Sequence, residues 1–442
     1  MRVSMIRLWG VVPTVMLLAT LWSSATSVRA EDTFEHELDK PLSTRLELGR
    51  GWRAGLELTL ESDYEDQADL DRTVSDRRLS VTPKAELALS FEPRDDITLF
   101  FDLELSRRYL ARSPDGSTRP PTRLLAKELW MLVRDIAPGI SIQLGRQDFE
   151  DEREWLYDQE LDGLRIHGLW QRLGLELSVT REAAVDRDLL HESRSRPVNN
   201  YHALARYWLS SDSQVGGYVL YRDDPGRRRE DLLLLGVRSY GELDSDTEYW
   251  LDAAIARGRS NRGRAIRGFG LDLGLTRELD LPLRPSLSLG FAFGSGDENR
   301  RDGIDRDFRQ SGLQDNAAKL GGITSFKLYG EALEPELSNL KIATAGLGIR
   351  PTRNSSVDVV YHYYWQHHAD DDIRDSNLDR DPDGQHHQLG HGLDLVMGFR
   401  PTPAVKIEAV MGRFFPGAAF ADRNGRSPAD PVVGSVELIL RF

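Results

Sequence analysis

Arginine is the residue type that stands out chemically in this sequence, which has 50 arginines and only seven lysines. The planar guanidinium group pairs bidentately with carboxylates and keeps its charge when it is partly desolvated. Groups suited to covalent chemistry are scarce, because the chain has no cysteine, no Gly-x-Ser-x-Gly, no phosphate-binding loop and no dinucleotide fingerprint. Paired acids such as Asp151 and Glu152 lie in a polar segment without apolar surroundings to raise a carboxyl pKa. These residue types indicate binding of anionic groups, and we expect no enzyme activity.

Which charged side chains share a surface depends on the strands that carry them. Apolar and polar residues alternate along much of the chain, and in 357–365 the residues Val357, Val359, Tyr361, Tyr363 and Trp365 fall on one face. A period of two residues is typical of β-strands with one apolar face. We predict eighteen strands, at approximately 43–61, 80–92, 96–110, 123–135, 139–149, 160–170, 173–183, 201–210, 214–222, 231–241, 247–258, 266–277, 285–295, 338–350, 355–368, 390–400, 404–414 and 433–442.

The connections between these strands differ in length in a regular way. Links from even to odd strands are mostly short turns such as EPRDD and RPTPA, whereas links from odd to even strands are mostly longer, the longest covering about 296–337. An even strand number with short turns at one end and long loops at the other is typical of an outer-membrane barrel. A soluble β-sandwich also alternates but does not sort its connections in this way. The sequence therefore predicts an all-β chain forming a transmembrane antiparallel β-barrel, with eighteen strands.

Both ends of the chain fit such a barrel. Residues 1–30 combine a basic start, a short apolar run and an Ala-x-Ala-like end, which predicts a cleaved signal peptide and leaves 31–442 as a single barrel domain. The chain closes with GSVELILRF, in which apolar residues alternate up to Phe442. This last strand must pair with the first, because an open sheet edge cannot exist in hydrocarbon.

Four stretches are not explained by barrel geometry, namely 144–166, 294–322, 329–340 and 413–420. With their FRQSGLQDN, PELSNL and FFPGAAF segments, they resemble the alginate-export outer-membrane porins in order and spacing. The resemblance implies a monomeric eighteen-stranded barrel in the Gram-negative outer membrane that passes a polyuronate from periplasm to cell exterior through an arginine-lined constriction. It also implies a periplasmic lipoprotein scaffold as a partner.

The expected partners are thus an anionic polysaccharide (alginate), that scaffold, and the lipid bilayer with its lipopolysaccharide; we expect no nucleic acid. Removing residues 1–30 takes away three arginines and no acid, which leaves 54 basic against 71 acidic residues and a net charge of −17. This does not exclude an anion-selective channel, because selectivity depends on the narrowest ring of the pore. The alternatives are an uptake porin for small anions or oligosaccharides and a barrel-embedded hydrolase.

Strand parity predicts which cations point into the lumen. Opposite the apolar faces of their strands, and hence inward, lie Arg53, Arg165, Arg400 and Lys406. Arg146 shares the parity of Leu144 and so points outward unless a bulge reverses it. We keep Arg146 as a candidate because it belongs to the 144–166 motif.

Other candidates come from motifs and loops, and each has a structural alternative. Arg153 stands among acids and could form ion pairs only, while Arg309 and Lys319 lie in the longest loop, which folds into the lumen or stays outside. Arg413 is a ligand at the pore mouth or an ordinary rim cation. The acids Asp148, Asp158 and Asp162 could orient guanidinium groups and prevent the sugar from binding too tightly, or simply pair with cations.

Histidines are concentrated near an acidic loop, at His367, His368, His386, His387 and His391. Their spacing fits no helical metal motif, so we predict no transition-metal site and no cofactor. Adventitious Ca²⁺ at the acidic loops is the expected exception, because carboxylates suit hard cations.

Overall fold

The structure is a computed structural model, and it describes residues 44–73, 76–114, 120–182, 184–185, 187–191, 198–226, 230–421 and 428–442. The predicted signal peptide lies outside the described residues. Within them, no helix is both long and apolar enough to cross a membrane.

Within the described residues, eighteen antiparallel strands form one closed barrel, as predicted. Each strand pairs with its neighbours in sequence, and the first pairs with the last from Glu57 opposite Arg441 to Asp66 opposite Val432. The strands are β1 (Trp52–Asp66), β2 (Arg78–Arg94), β3 (Ile97–Arg107), β4 (Thr122–Ala137), β5 (Ile140–Glu150), β6 (Asp158–Trp170), β7 (Leu173–Arg181), β8 (Asn199–Trp208), β9 (Gln214–Asp224), β10 (Glu230–Asp244), β11 (Thr247–Arg259), β12 (Ala265–Glu278), β13 (Ser286–Gly294), β14 (Leu340–Thr352), β15 (Ser355–Gln366), β16 (Gln388–Thr402), β17 (Val405–Pro416) and β18 (Val432–Arg441).

The apolar face of each strand lies on the outside of the barrel. In β13, Leu287 and Leu289 are 41% and 48% exposed, whereas the alternate residues Ser286 and Ser288 are 5% and 3% exposed. A soluble protein would bury these leucines, but a barrel in lipid presents them to acyl chains. Even-to-odd connections such as 95–96 and 403–404 are short, and the longest odd-to-even connection is 295–339, so the predicted sorting of loops is confirmed. We refer to the short-turn end and the long-loop end of the barrel.

The first predicted strand is wrong in its first half. The chain reverses at Arg50 and Gly51, whose φ angles are 54° and 80°, and the short strand Leu46–Gly49 pairs antiparallel with the start of β1. A Cβ on Gly51 would collide with the carbonyl oxygen of Glu92, so only glycine fits this turn. The turn interrupts the strand predicted over 43–61 without disturbing its alternation, and β1 continues instead to Asp66.

The 295–339 connection, which we call the inner loop, folds into the lumen, as one of the two alternatives predicted. Phe308 and Leu337 in this loop are fully buried and belong to one apolar cluster with inward residues of the barrel wall. The loop reaches the short-turn end, where the Ile323 N–H donates to Ser356 Oγ (2.9 Å) and Arg350 Nε donates to the Gly321 carbonyl (2.9 Å). The inner loop therefore spans the height of the lumen. Its short strands are Ile304–Asp305, Ala317–Ala318 and Phe326–Lys327.

A second insertion comes from the β5–β6 connection, residues 151–157. β5 pairs with β4 only as far as Arg146, next to Gly145 with φ 128°, and residues 187–189 then pair with β4 in its place. Trp155 of the connection is 1% exposed and donates from its indole nitrogen to Tyr329 Oη of the inner loop (2.9 Å). The two insertions thus pack on each other inside the barrel.

The insertions divide the lumen into two sides. Inward side chains of β8 to β12, such as Leu204, Leu234 and Ile266, are 1% exposed beneath them. On the opposite side, Phe100, Trp130 and Leu132 of β3 and β4 are also buried, but Lys84 and Lys127 retain 30% and 28% of their side-chain surface. We call the inward face of β17, β18 and β1 to β4 the open wall.

Candidate functional site

A cavity of about 590 Å³ remains between the tip of the inner loop and the wall, near the short-turn end. Its basic lining residues are Arg153, Lys319 and Lys406, and its acidic lining residues are Glu150, Glu152, Glu154, Asp212, Glu242 and Glu248. The structure therefore brings three of the nine predicted pore cations together around this cavity.

Lys319 is the most exposed of the three basic residues that line the cavity. It is exposed at the tip of the inner loop and forms no ion pair with any described residue. Partial burial lowers the pKa of Lys319, and the positive charges of Lys406 and Arg400 lower it further. We call Lys319, Arg400 and Lys406 the cationic cluster. Lys406 pairs with Glu408 at 2.6 Å, whereas the side chain of Arg400 has no hydrogen bond to the described part of the chain.

The predicted arginines with inward side chains are mostly held in buried ion pairs. Arg165 points inward, as its parity predicts, and pairs with Glu176 at 2.8 Å while its guanidinium lies over the ring of Phe149. Arg309 pairs with Asp305 at 2.7 Å and also with Glu230, and it is 7% exposed.

Arg153 lies at the centre of a network that joins both insertions to the wall. Its guanidinium lies over the indole of Trp250 (4.2 Å) and is 3.6 Å from Asp272. The Asp272 carboxylate also accepts hydrogen bonds from Trp250 Nε1 (2.8 Å) and Tyr329 Oη (3.0 Å). The geometry makes Arg153 a scaffold residue whose edge reaches the cavity.

Arg53 lies at the short-turn end with inward parity, and its nearest acid is Glu92 at 4.0 Å. Its side chain is 48% exposed, so it borders the mouth of the lumen and not the constriction.

Arg146, Asp162 and Arg413 are not in the lumen, and keeping Arg146 against its parity was wrong. Arg146 and Asp162 share the outward face and pair with each other through two hydrogen bonds of 2.8 and 2.9 Å. Arg146 also donates to the carbonyls of Ala126 (3.0 Å) and Val185 (2.5 Å), so it joins β4, β6 and the 182–198 connection where β5 leaves β4. Arg413 has the outward parity of Met411 and pairs with Asp430 at 2.6 Å, which makes it a rim cation.

The predicted acids separate as well. Asp148 lies on β5 beyond Arg146, where its N–H donates to Glu128 (3.3 Å). Asp158 joins Glu154 and Asp315 in a group whose carboxylate oxygens lie within 4.8 Å of one another. Burial, together with the charges of Asp158 and Asp315, raises the pKa of Glu154 to about 8. This group links the two insertions and lies outside the acidic loops in which Ca²⁺ was expected.

Sequence reasoning missed two lysines of the open wall, Lys84 and Lys127. Lys84 has the parity opposite to the outward Leu87, so the alternation of β2 was enough to place it inward. Lys127 shares the parity of the outward Leu129 but lies at an irregularity between β3 and β4, and pairs inward with Glu86 at 3.0 Å. A bulge of this kind leaves no clear mark in the sequence.

Comparison with known proteins gives two similar curated relatives with the same name, Alginate production protein AlgE. The protein of Pseudomonas aeruginosa is 25% identical over 364 residues, covering 69% of this chain and 72% of the relative. The protein of Azotobacter vinelandii is 28% identical over 190 residues, covering 37% of this chain and 39% of the relative.

Solved structures with the same fold include outer-membrane porins of Pseudomonas aeruginosa. OccK11 aligns with a TM-score of 0.56 at 14% identity, over 90% of this chain and 98% of that one, and OprD aligns with a TM-score of 0.57 at 11% identity, over 90% and 94%. These neighbours share the closed-barrel fold, and the outward apolar face of the barrel together with the family match makes the chain a protein of the outer membrane. Since the family model described as Alginate export matches residues 45–433, the chain belongs to the alginate export family.

Proposed function

We propose that this barrel is a passive, anion-selective channel that exports alginate or a closely related polyuronate from the periplasm. The family and the names of the two relatives support alginate as the cargo. The observation that carries anion selection is the cationic cluster, where Lys319 is exposed with two further cations beside it.

The cluster is suited to a transient carboxylate ligand. Like charges held close together are unfavourable, and each carboxylate of a polyuronate relieves that repulsion as it passes. Lysine offers a point charge on a flexible stem instead of a rigid bidentate fork, so a sugar carboxylate is released as readily as it is bound. Transport needs both steps, because a ligand held too tightly blocks the channel. The predicted arginine lining is thus replaced in our proposal by a mixed cluster with two lysines.

The remaining inferences concern assembly and processing. We infer that one chain forms one pore, since β1 closes on β18 within the same chain, and that residues 1–30 are a signal peptide removed on export. The short turns face the periplasm in barrels of this kind, so that end is where the lipoprotein scaffold would dock. Transport through this channel requires no cofactor.

The test uses purified protein in planar bilayers with a KCl gradient. We expect the reversal potential to shift toward the equilibrium potential of chloride. We also expect polymannuronate, but not a neutral glucan, to block the ion current. Lys319→Met and Lys406→Met should each weaken the block roughly fivefold, the effect of one charge at contact distance in water. Lys341→Met is the matched control, because Lys341 has the outward parity of β14 at the long-loop end.

Equal block by the neutral glucan, or unchanged block in both lumen variants, would refute polyuronate selection by the cluster. A strain deleted for this chain should retain polymer in its periplasm, and normal secretion by that strain would refute the export role itself.

A further inference from the structure

The open wall carries rows of carboxylates that the selection of an anion does not require. The pairing register aligns Glu57 of β1, Glu86 of β2 and Glu104 of β3 in one inward row. A second row joins Glu61 of β1 to Glu437 of β18 and Glu408 of β17. Lys406 and Lys84 lie between these rows. In the pairing register, Lys406 is opposite Ile439 of β18, Ile439 is opposite Thr59 of β1, and Thr59 is opposite Lys84 of β2.

Four of the six carboxylates in these two rows have a basic partner. The pairs are Lys84–Glu61 at 2.7 Å, Lys127–Glu86 at 3.0 Å, Lys406–Glu408 at 2.6 Å and Arg441–Glu57 at 2.6 Å. Their side chains retain between 13% and 37% of their exposed surface, so the pairs border the water-filled part of the lumen.

Four further carboxylates form no ion pair with any described basic residue, namely Asp102, Glu104, Glu128 and Glu437. Asp102 is 5% exposed, and its Oδ1 atom has no hydrogen-bond partner within the part of the chain that the structure describes. A carboxyl group so enclosed takes up a proton unless a cation approaches it. Glu104 and Glu437 are partly exposed, so they add unpaired negative charge to the middle of the open wall, beside the proposed route of a negative polymer.

We propose that the open wall, which shares Lys406 with the cationic cluster, is a path for the counter-cations of the exported polymer. This inference rests on the proposed function, because only a polyanionic cargo brings counter-cations with it. A chain with one carboxylate per sugar carries an atmosphere of cations, as a nucleic acid backbone does. Stripping those cations at the pore would leave repeated charges uncompensated, whereas acids along one wall let monovalent cations cross beside the polymer.

The experiment measures ion permeability of the full-length mature protein in planar bilayers without polymer, using KCl. The variant is Glu104→Gln with Glu437→Gln, which removes two unpaired carboxylates and breaks none of the four ion pairs. We expect the chloride-to-potassium permeability ratio to rise about twofold to fivefold, since a unit charge near an ion in water changes its local concentration by that order. Replacing K⁺ by a bulky organic cation should lower the conductance of the unmodified protein and have little effect on the variant.

The matched control is Asp95→Asn with Asp280→Asn, which makes the same change in net charge within short turns outside the bore. A permeability ratio that is unchanged in the wall variant, or changed equally in the control, overturns the counter-cation path. Folding is checked separately, by the heat-dependent mobility of the barrel on gels. The outcome is independent of polymer block at Lys319, so failure of this inference and failure of the proposed function are distinguishable.

Discussion

Asp272 holds the two lumen insertions against the barrel wall, and its removal should release them. Its carboxylate accepts from Trp250 and Tyr329 and faces Arg153, and Tyr329 accepts in turn from Trp155. In Asp272→Asn the amide keeps one acceptor oxygen and presents an NH₂ group, so at most part of this set survives. The substitution also leaves the buried guanidinium of Arg153 without its partner.

The size of the effect follows from that unpaired charge. Removing one partner of a buried ion pair costs about 3 to 5 kcal/mol. Because 1.36 kcal/mol corresponds to a factor of ten, the ratio of docked to released insertions should fall by more than about a hundredfold. The backbone hydrogen bonds between the barrel strands do not depend on these side-chain contacts. We therefore expect the barrel to remain folded while the inner loop loosens.

Limited proteolysis in detergent micelles measures the release. The inner loop of Asp272→Asn should be cut faster in proportion to its released population, and single-channel conductance should rise and become noisier. Asp95→Asn is the matched control, since the same change lies in the exposed turn 95–96. If both variants are cut at the rate of the unmodified protein and conduct alike, the carboxylate of Asp272 does not hold the insertions.

Three further substitutions test other parts of this arrangement. Arg146→Ala should destabilise the barrel by about 3 kcal/mol, because it frees Asp162 and two carbonyls, yet leave polymannuronate block unchanged; thermal unfolding and block measurements check this together. Gly270→Val should displace the inner loop and raise conductance, because a Cβ there meets the ring of Phe308. Glu154 of the β5–β6 connection has a pKa of about 8 when the two insertions are packed together. When the insertions separate, its pKa returns to the ordinary value of about 4.5, so the packed state binds a proton more tightly. The packing of the insertions should therefore weaken as the pH rises from about 4.5 toward 8. Proteolysis across that range should show the change, and Glu154→Gln should reduce it.

The barrel was predictable because its physics is periodic. Every strand must present apolar residues to lipid at every second position, so an alternation such as that of Val357, Val359 and Tyr361 is repeated throughout the chain. The error at 43–61 shows the limit of this signal. A turn at Arg50 and Gly51 preserves the alternation on both sides while reversing the chain, and period alone cannot detect a reversal.

The site was less predictable, because strand parity tells whether a side chain points into the barrel but not which residues surround it there. Parity correctly placed Arg165 inward, but the burial of its guanidinium against Glu176 depends on β7, whose relation to β6 appears only in three dimensions. For Arg146 the motif suggested a pore residue and parity suggested the outside; parity was correct because no bulge intervenes between β5 and β6. Lys127 shows the opposite case, in which an irregularity between β3 and β4 brings into the lumen a residue that parity places outside.

Arginine and lysine occupy different parts of the lumen because their side chains differ in hydration. Arginine is weakly hydrated and offers several donors, so it is the cation that loses least on burial; Arg165 and Arg309 accordingly lie inside the packed part of the lumen. The lysine ammonium is strongly hydrated and keeps its charge best beside water, and four of the seven lysines, Lys84, Lys127, Lys319 and Lys406, face the cavity or the open wall. The many arginines thus serve largely to form buried ion pairs inside the barrel. The few lysines lie mostly where ions and an anionic polymer would contact the protein.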